Sequence, residues 1–309
     1  MSIPQHLRVI GSRRILRFFL PPEEKPFRSS QFLLVEPADA GAVFRELPDD
    51  GCLTIVVDPD DYETEALNRL PGLVWFWFLR PMAHESSSSS PVAPHLARIA
   101  DESLGARRNF LARVALGDLS AIVVSDEESF EYCSRQGNQV LLSPPPVSDE
   151  LADFPSTEQT MISVWTQGEP TRYLRKFLEE LPPQVVMGEG VLLSETESPK
   201  APTHWVVAQD TLTQSFPYEA AMAVVAGQTL ISGVLSPRWG LEPGLDYLEY
   251  STPEELGRIL EHSLRYPQST QLMAWRGQKK SLILNASVVY PRLLEILLSN
   301  NAKKKSPQV

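Results

Sequence analysis

Two sets of side chains in this sequence of 309 residues have types and spacings that could do chemistry. The first is Thr166-Gln167-Gly168, which follows the apolar run Met161 to Trp165 and leads into a helix-prone segment, Pro170 to Leu181. The free N–H groups and dipole at the start of such a helix favour an anion. Arg172, in its first turn, could grip a diphosphate with two parallel hydrogen bonds. A routine strand-to-helix turn carrying a surface arginine explains the same residues, and both readings stand. The second set is His84 and His95, which flank five consecutive serines beginning at Ser86. Either imidazole could take a proton from an acceptor hydroxyl. A flexible loop that happens to hold histidines is the plainer account, and no catalytic residue is assigned beyond these two candidates.

Other reactive constellations are missing. His6, His84, His95, His204 and His262 are scattered without metal-ligand spacing, and no metal site is expected. Cys52 and Cys133 make neither a disulfide framework nor a metal cluster, which fits a reducing, cytoplasmic setting. No Ser-His-Asp or phosphate-loop arrangement is visible. A formal net charge of −11 argues against nucleic acid as a partner, because phosphate backbones reward clustered cations.

These residues need elements to hold them. Gln31 to Val35, Leu53 to Val57, Leu73 to Leu79, Ala121 to Val124 and Gln139 to Leu142 read as strands. Helices are expected between them at Ala38–Leu47, Leu96–Val114 and Glu127–Arg135, and a mobile loop over Pro81–Pro94. Nearly continuous apolar strands alternating with helices imply a parallel sheet covered on both faces. A proline-rich stretch from Pro144 to Pro155 marks a domain boundary, after which the alternation restarts at Met161–Trp165, Val185–Met187 and His204–Ala208. The basic start of the chain, with Arg8, Arg13, Arg14 and Arg17, reads as a β-hairpin turning at Gly11-Ser12. The alternative is a cationic patch touching an anionic membrane surface.

The stretch from Ser215 to Pro267 is the most informative. Ser215-Phe216-Pro217 opens a helix in which Tyr218, Ala221, Met222 and Val225 share one face, and Gly227 stops it. A strand at Thr229–Ser232, a turn at Glu242-Pro243-Gly244 and a short strand within Asp246–Tyr250 follow. Thr252-Pro253-Glu254-Glu255 is a capping box launching a helix with Leu256, Ile259, Leu260 and Leu264 on one face, ended by Tyr266-Pro267. A further apolar helix, Leu293–Leu298, is expected to start at Pro291, with a disordered tail from Asn300.

This order of pieces resembles the donor-nucleotide half of GT-B-type glycosyltransferases, in the branch that includes spore-maturation-like transferases. The resemblance rests on Glu219 to Gly227, Pro243-Gly244, Thr252 to Leu256 and Tyr266-Pro267, and elsewhere it is only architectural. It implies an α/β protein of two Rossmann-like, doubly wound domains facing across a cleft. The N-terminal, acceptor-side domain would span residues 1–150, and the nucleotide-donor domain 151–290. Residues 291–309 would form a helix crossing back, with its tail.

The resemblance also implies that the Glu219 carboxylate accepts hydrogen bonds from the donor ribose. On the residues alone it is a first-turn glutamate favouring the helix dipole. The donor-binding candidates are then Glu219, Arg172, Gly168, Gln167 and Ser215. Many retaining relatives carry a second acid eight residues before that glutamate, where this chain has Thr211. Asp58-Pro59-Asp60-Asp61 looks like the metal-binding acidic motif of a different transferase architecture, and an acidic turn ending a strand is the simpler account. The expected activity is transfer of a sugar from a nucleotide-diphosphate donor to an unidentified glycan, lipid-linked or protein acceptor, with no cofactor besides the nucleotide sugar. The competing expectation is a non-catalytic binding or assembly module of the same architecture.

Overall fold

The computed structural model describes residues 4, 6–12, 28–79, 107, 109–113, 121–149, 151, 162–166, 185–186, 205–208, 216, 218–251 and 253–305. The chain forms two units: Met1–Pro146 together with Ala286–Val309, and Val147–Asn285. Among the described residues no helix is long and apolar enough to cross a membrane.

The first unit is built on six parallel strands: β1 (His6–Gly11), β2 (Ser29–Leu34), β3 (Leu53–Val57), β4 (Leu73–Phe78), β5 (Ala121–Val124) and β6 (Val140–Leu142), in the order β2-β1-β3-β4-β5-β6. Every residue of β3 and β5 is buried, as strands covered on both faces require. Alternation along β4 sends Val74, Phe76 and Phe78 to one face, where they pack with Phe44 and Phe110. Phe44 comes from helix α1 (Ala40–Glu46) and its ring lies 5.6 Å from that of Tyr62. Short helix α2 (Thr64–Leu67) adds Ala66 and Leu67 to the same cluster.

The opposite face of β4 presents Trp77, which meets the ring of Tyr290 edge-on at 6.1 Å. Helix α3 (Glu127–Arg135) leaves β5 through Asp126, whose Oδ1 accepts the Ser129 N–H at 2.7 Å in an N-cap.

The expected hairpin at Gly11-Ser12 does not form around β1. Val9 lies opposite Phe32 of β2 and Ile55 of β3, both parallel, so neither edge of β1 is open to an antiparallel partner. Arg8 is 2% exposed and donates to Asp50 Oδ2 at 2.9 Å, so it contributes nothing to a cationic surface patch. Arg13, Arg14 and Arg17 lie outside the described residues. The Cys52 thiol and N–H, with the Arg8 guanidinium, hold the Asp50 carboxyl below its ordinary value.

The second unit is also a parallel sheet. Its strands are β7 (Ile162–Thr166), β8 (Val185–Val186), β9 (Trp205–Ala208), β10 (Thr229–Ser232) and β11 (Leu248–Glu249), in the order β11-β10-β9-β7-β8. Between β9 and β10 runs helix α4 (Tyr218–Val225). One apolar face was expected, but Tyr218, Ala220, Ala221, Met222, Ala223, Val224 and Val225 are all buried. Burial of this many consecutive positions means that neighbours pack on more than one face of α4, and its three alanines let them approach closely.

Gly227 follows at φ +67°, the left-handed conformation of a C-terminal cap. Helix α5 (Pro253–Arg265) buries Leu256 and Leu260, and at its start Glu255 accepts the Ser251 N–H at 2.8 Å.

Pro267 was expected only to end a helix. It ends α5 and opens α6 (Pro267–Lys280), because proline is as well suited to a first helical turn as it is unsuited to an interior. α6 anchors two neighbours. Gln278 Nε2 donates to the carbonyl of Val225 at 3.1 Å, closing the end of α4. At Gly277 a Cβ would lie 2.7 Å from the carbonyl oxygen of Asp246, so the turn before β11 rests directly on the helix backbone. The buried Asp246 carboxylate accepts the Glu242 N–H at 2.9 Å and Lys280 Nζ at 2.6 Å, with Arg276 Nε 3.7 Å away.

A 3-10 turn, Ser281–Leu284, leads into helix α7 (Ala286–Lys305), which belongs to the first unit and carries Tyr290. Pro291 therefore lies inside this helix rather than opening it, and the helix continues through Lys305 where a disordered tail was expected. Burial of Val289, Tyr290, Leu293 and Leu294 holds the turn that proline weakens.

Two outcomes follow from this packing. Gly277→Ala would gain about 1 kcal/mol of helix propensity but incur an overpacking cost of about 1–3 kcal/mol against backbone that cannot rotate away. We expect a lower denaturant midpoint, and an unchanged or raised one would contradict the close approach. Burial pushes the Cys133 thiol up to about 12, and burial with a hydrogen bond to Asp50 pushes Cys52 up to about 11. Since the thiolate is the reactive form, neither should react with an aromatic disulfide reagent at mildly alkaline pH until the protein unfolds. Rapid labelling of the native protein would contradict this burial.

Candidate functional site

Parallel α/β sheets bind ligands beyond the carboxyl ends of their strands. In the second unit three pieces meet that edge. β7 ends there at Thr166, immediately before Gln167 and Gly168. α4 connects the parallel strands β9 and β10, so its first turn, containing Glu219, starts at the same edge. The segment leaving β10 after Ser232 begins there too. Glu219, the second residue of α4, is thus placed where the end of β9 hands over to a helix, and β9 is the strand next to β7. Phe216, just before this helix, is 1% exposed and fixes the approach of the chain.

The segment after β10 supplies side chains that sequence reasoning did not pick out. Arg238 lies 3.3 Å from Glu249 Oε2 of β11, and that same oxygen accepts the Tyr247 hydroxyl at 2.6 Å. Burial, together with this hydrogen bond, raises the Tyr247 pKa above the ordinary phenol value. Trp239, next to Arg238, holds φ +49°, a left-handed conformation that costs a non-glycine residue energy. Its partly buried side chain keeps the indole Nε1 away from water without a hydrogen-bond acceptor. The only sequence signals here were Pro237 and Gly240 flanking an arginine and a tryptophan.

Of the donor-binding candidates, Ser215, Gln167, Gly168 and Arg172 lie outside the described residues. So do His84, His95, the serine run and Thr211. His262 is exposed on α5 with its ring 4.8 Å from Tyr266, and His6 Nδ1 meets Ser29 Oγ at 2.7 Å. Among the described residues no group of three or more His, Cys, Asp or Glu is arranged to hold a metal. The acidic turn after β3 serves the fold instead. Asp58, at φ +44°, accepts the Leu79 N–H at 2.9 Å and thereby ties the end of β3 to the end of β4. Asp60 pairs with Arg107 at 3.2 Å.

No family model and no curated protein matches the sequence. Solved structures do match over almost the whole chain. HepE from Anabaena in complex with UDP-glucose is 13% identical, with 95% of this chain and 99% of that one covered at a TM-score of 0.58. HepE in complex with UDP and glucose gives 12% identity, 96% and 100% coverage and 0.51. Sucrose-phosphate synthase from Thermosynechococcus elongatus gives 11%, 97% and 100%, and 0.51. At these identities the likeness concerns architecture alone. The chain has the α/β fold of the GT-B glycosyltransferases.

Proposed function

We propose that the protein is a glycosyltransferase that binds a nucleoside-diphosphate sugar at the carboxyl edge of its second unit and transfers the sugar to an acceptor hydroxyl. The observation that carries this reading is the start of α4, with Glu219 in its first turn, at the edge where β7 and β9 end. A carboxylate there can accept both ribose hydroxyl protons, as an acid does in dinucleotide-binding sheets. The N–H groups following β7, with Arg172, would meet the diphosphate and stabilise the charge that builds on it as the glycosidic bond breaks. Likeness of fold to a UDP-glucose complex makes a uridine nucleotide the first ligand to test. A second reading, a binding module without catalysis, is favoured by Thr211, where an acid would be expected near the transferred sugar.

Calorimetric titration of UDP, GDP and dTDP separates these accounts. If Glu219 holds the ribose, Glu219→Ala removes a charged acceptor worth about 1.5–3 kcal/mol, and affinity falls by roughly one to two orders of magnitude. Its melting temperature should barely move, since a first-turn glutamate contributes only about 0.3–1 kcal/mol to its helix. Unchanged affinity in this variant would reject Glu219 as the ribose ligand.

Arg172→Ala should weaken nucleoside diphosphates far more than the bare nucleoside, and equal losses for both would remove Arg172 from the diphosphate site. Failure of every nucleotide to bind the wild type would reject the donor site itself. Nucleotide binding without hydrolysis or transfer of any UDP-sugar would favour the non-catalytic module.

A further inference from the structure

Helix α6 and the 3-10 turn after it carry an exposed apolar stripe. Leu272, Trp275 and Leu282 are 59%, 55% and 58% exposed, and Ile283 joins them at the turn. At 100° per residue, Leu272, Trp275 and Lys279 fall within about a sixth of the α6 circumference, and Leu282 and Ile283 follow in the 3-10 turn. The opposite side of α6 is the packed one, with Thr270, Ala274, Gly277 and Ser281 buried. The exposed side chains therefore form a ridge standing away from the core rather than a groove within it.

The run of sequence that carries this ridge differs in charge from the rest of the chain, and the acid that reaches it in space is Glu242, bonded to Lys280 beside it. The sequence carries 39 acidic residues against 28 basic ones, yet no Asp or Glu occurs from His262 through Leu294. Within α6 the charged residues are Arg276, Lys279 and Lys280. Lys280 is held by Glu242 and Asp246, while Lys279 stands on the ridge with its ammonium 5.8 Å from the Trp275 ring centre. A tryptophan beside a lysine, flanked by leucines, suits the boundary between lipid headgroups and acyl chains: the indole rests at headgroup level and the ammonium meets anionic lipid. A protein of net charge −11 is repelled by such a surface in most orientations, so an acid-free ridge also selects the face that approaches.

We propose that the ridge formed by Leu272, Trp275, Lys279, Leu282 and Ile283 is a peripheral docking face for an anionic lipid bilayer. The apolar side chains enter the interface shallowly, and the lysine gives the contact its preference for negative headgroups.

The test is flotation of the full chain with vesicles of phosphatidylcholine alone or mixed with phosphatidylserine. Binding should favour the serine-containing vesicles and weaken as salt rises, because screening shortens to about 10 Å at 0.1 M. Lys279→Ala should lower the partition coefficient about fivefold, as expected for one cation at such a surface. The double variant Leu272→Glu, Trp275→Glu should lose vesicle binding while keeping the wild-type melting temperature and nucleotide affinity, since both side chains are exposed and lie outside the donor edge.

Absence of vesicle binding, or binding retained by the folded double variant, would overturn the proposal. So would a wild-type dimer that the double variant turns into a monomer without any vesicle binding, which would assign the ridge to a second copy. If the double variant melts early, Trp275→Gln alone replaces it, and the same loss of binding is required.

Discussion

A parallel sheet has no face that can be left wet, because its crossover connections return over both sides and its strands are apolar throughout. That constraint governs both units. In the first, β4 shows what it demands: Phe76 and Phe78 need α1 and the 109–113 helical stretch above them, while Trp77 on the other side needs Tyr290. In the second, α4 buries Tyr218 and every residue from Ala220 to Val225, and α6 closes both its end and the turn before β11. The candidate donor edge is a by-product of this arrangement. Since α4 must return antiparallel to its strands, its first turn, and Glu219 with it, can only start where those strands end.

Charge is admitted into these interiors only when it is matched. Arg8 lies in a central strand and would be costly alone, but Asp50 meets it, and that carboxylate remains partly in water where solvation is kept. Asp246 has no such exposure. It is held instead by Lys280, Arg276 and a backbone N–H, converting a buried anion into the latch between a turn and a helix.

How much of this could be read beforehand depended on range. β3, β5 and α3 were legible to the residue, since each is fixed by its own apolar or capped pattern: Leu53–Val57, Ala121–Val124, and Glu127–Arg135 behind Asp126. The helix bearing Glu219 is legible for the same reason, although burial beyond its one apolar face is not, because burial is decided by neighbours. The errors came from residues whose partners are distant. The segment of Arg8 reads as a hairpin, or else as a surface patch, because Asp50, 42 positions away, leaves no local sign, and Arg238 likewise gives no sign that it meets Glu249. Pro267 marks a helix end as readily as a helix start, so α6, with the latch and the ridge, has no separate local signature. Pro291 misled in the opposite sense, since burial around Tyr290 and Leu293 sustains a helix through it.

The first unit is discontinuous in the chain, and this bears on how the protein is made. Val147–Asn285 is uninterrupted, and its two ends are bridged side by side, with the Val147 N–H bonded to the Leu284 carbonyl at 2.9 Å. During vectorial synthesis that segment has everything it needs before residue 286 is added. The first unit does not: Trp77 must wait through the whole second unit for Tyr290 to cover it. The nascent chain therefore lacks the Tyr290 contact on Trp77 for as long as the intervening residues take to translate. At about 5–20 residues per second that interval is several seconds or more, long enough for a chaperone to meet the unfinished unit.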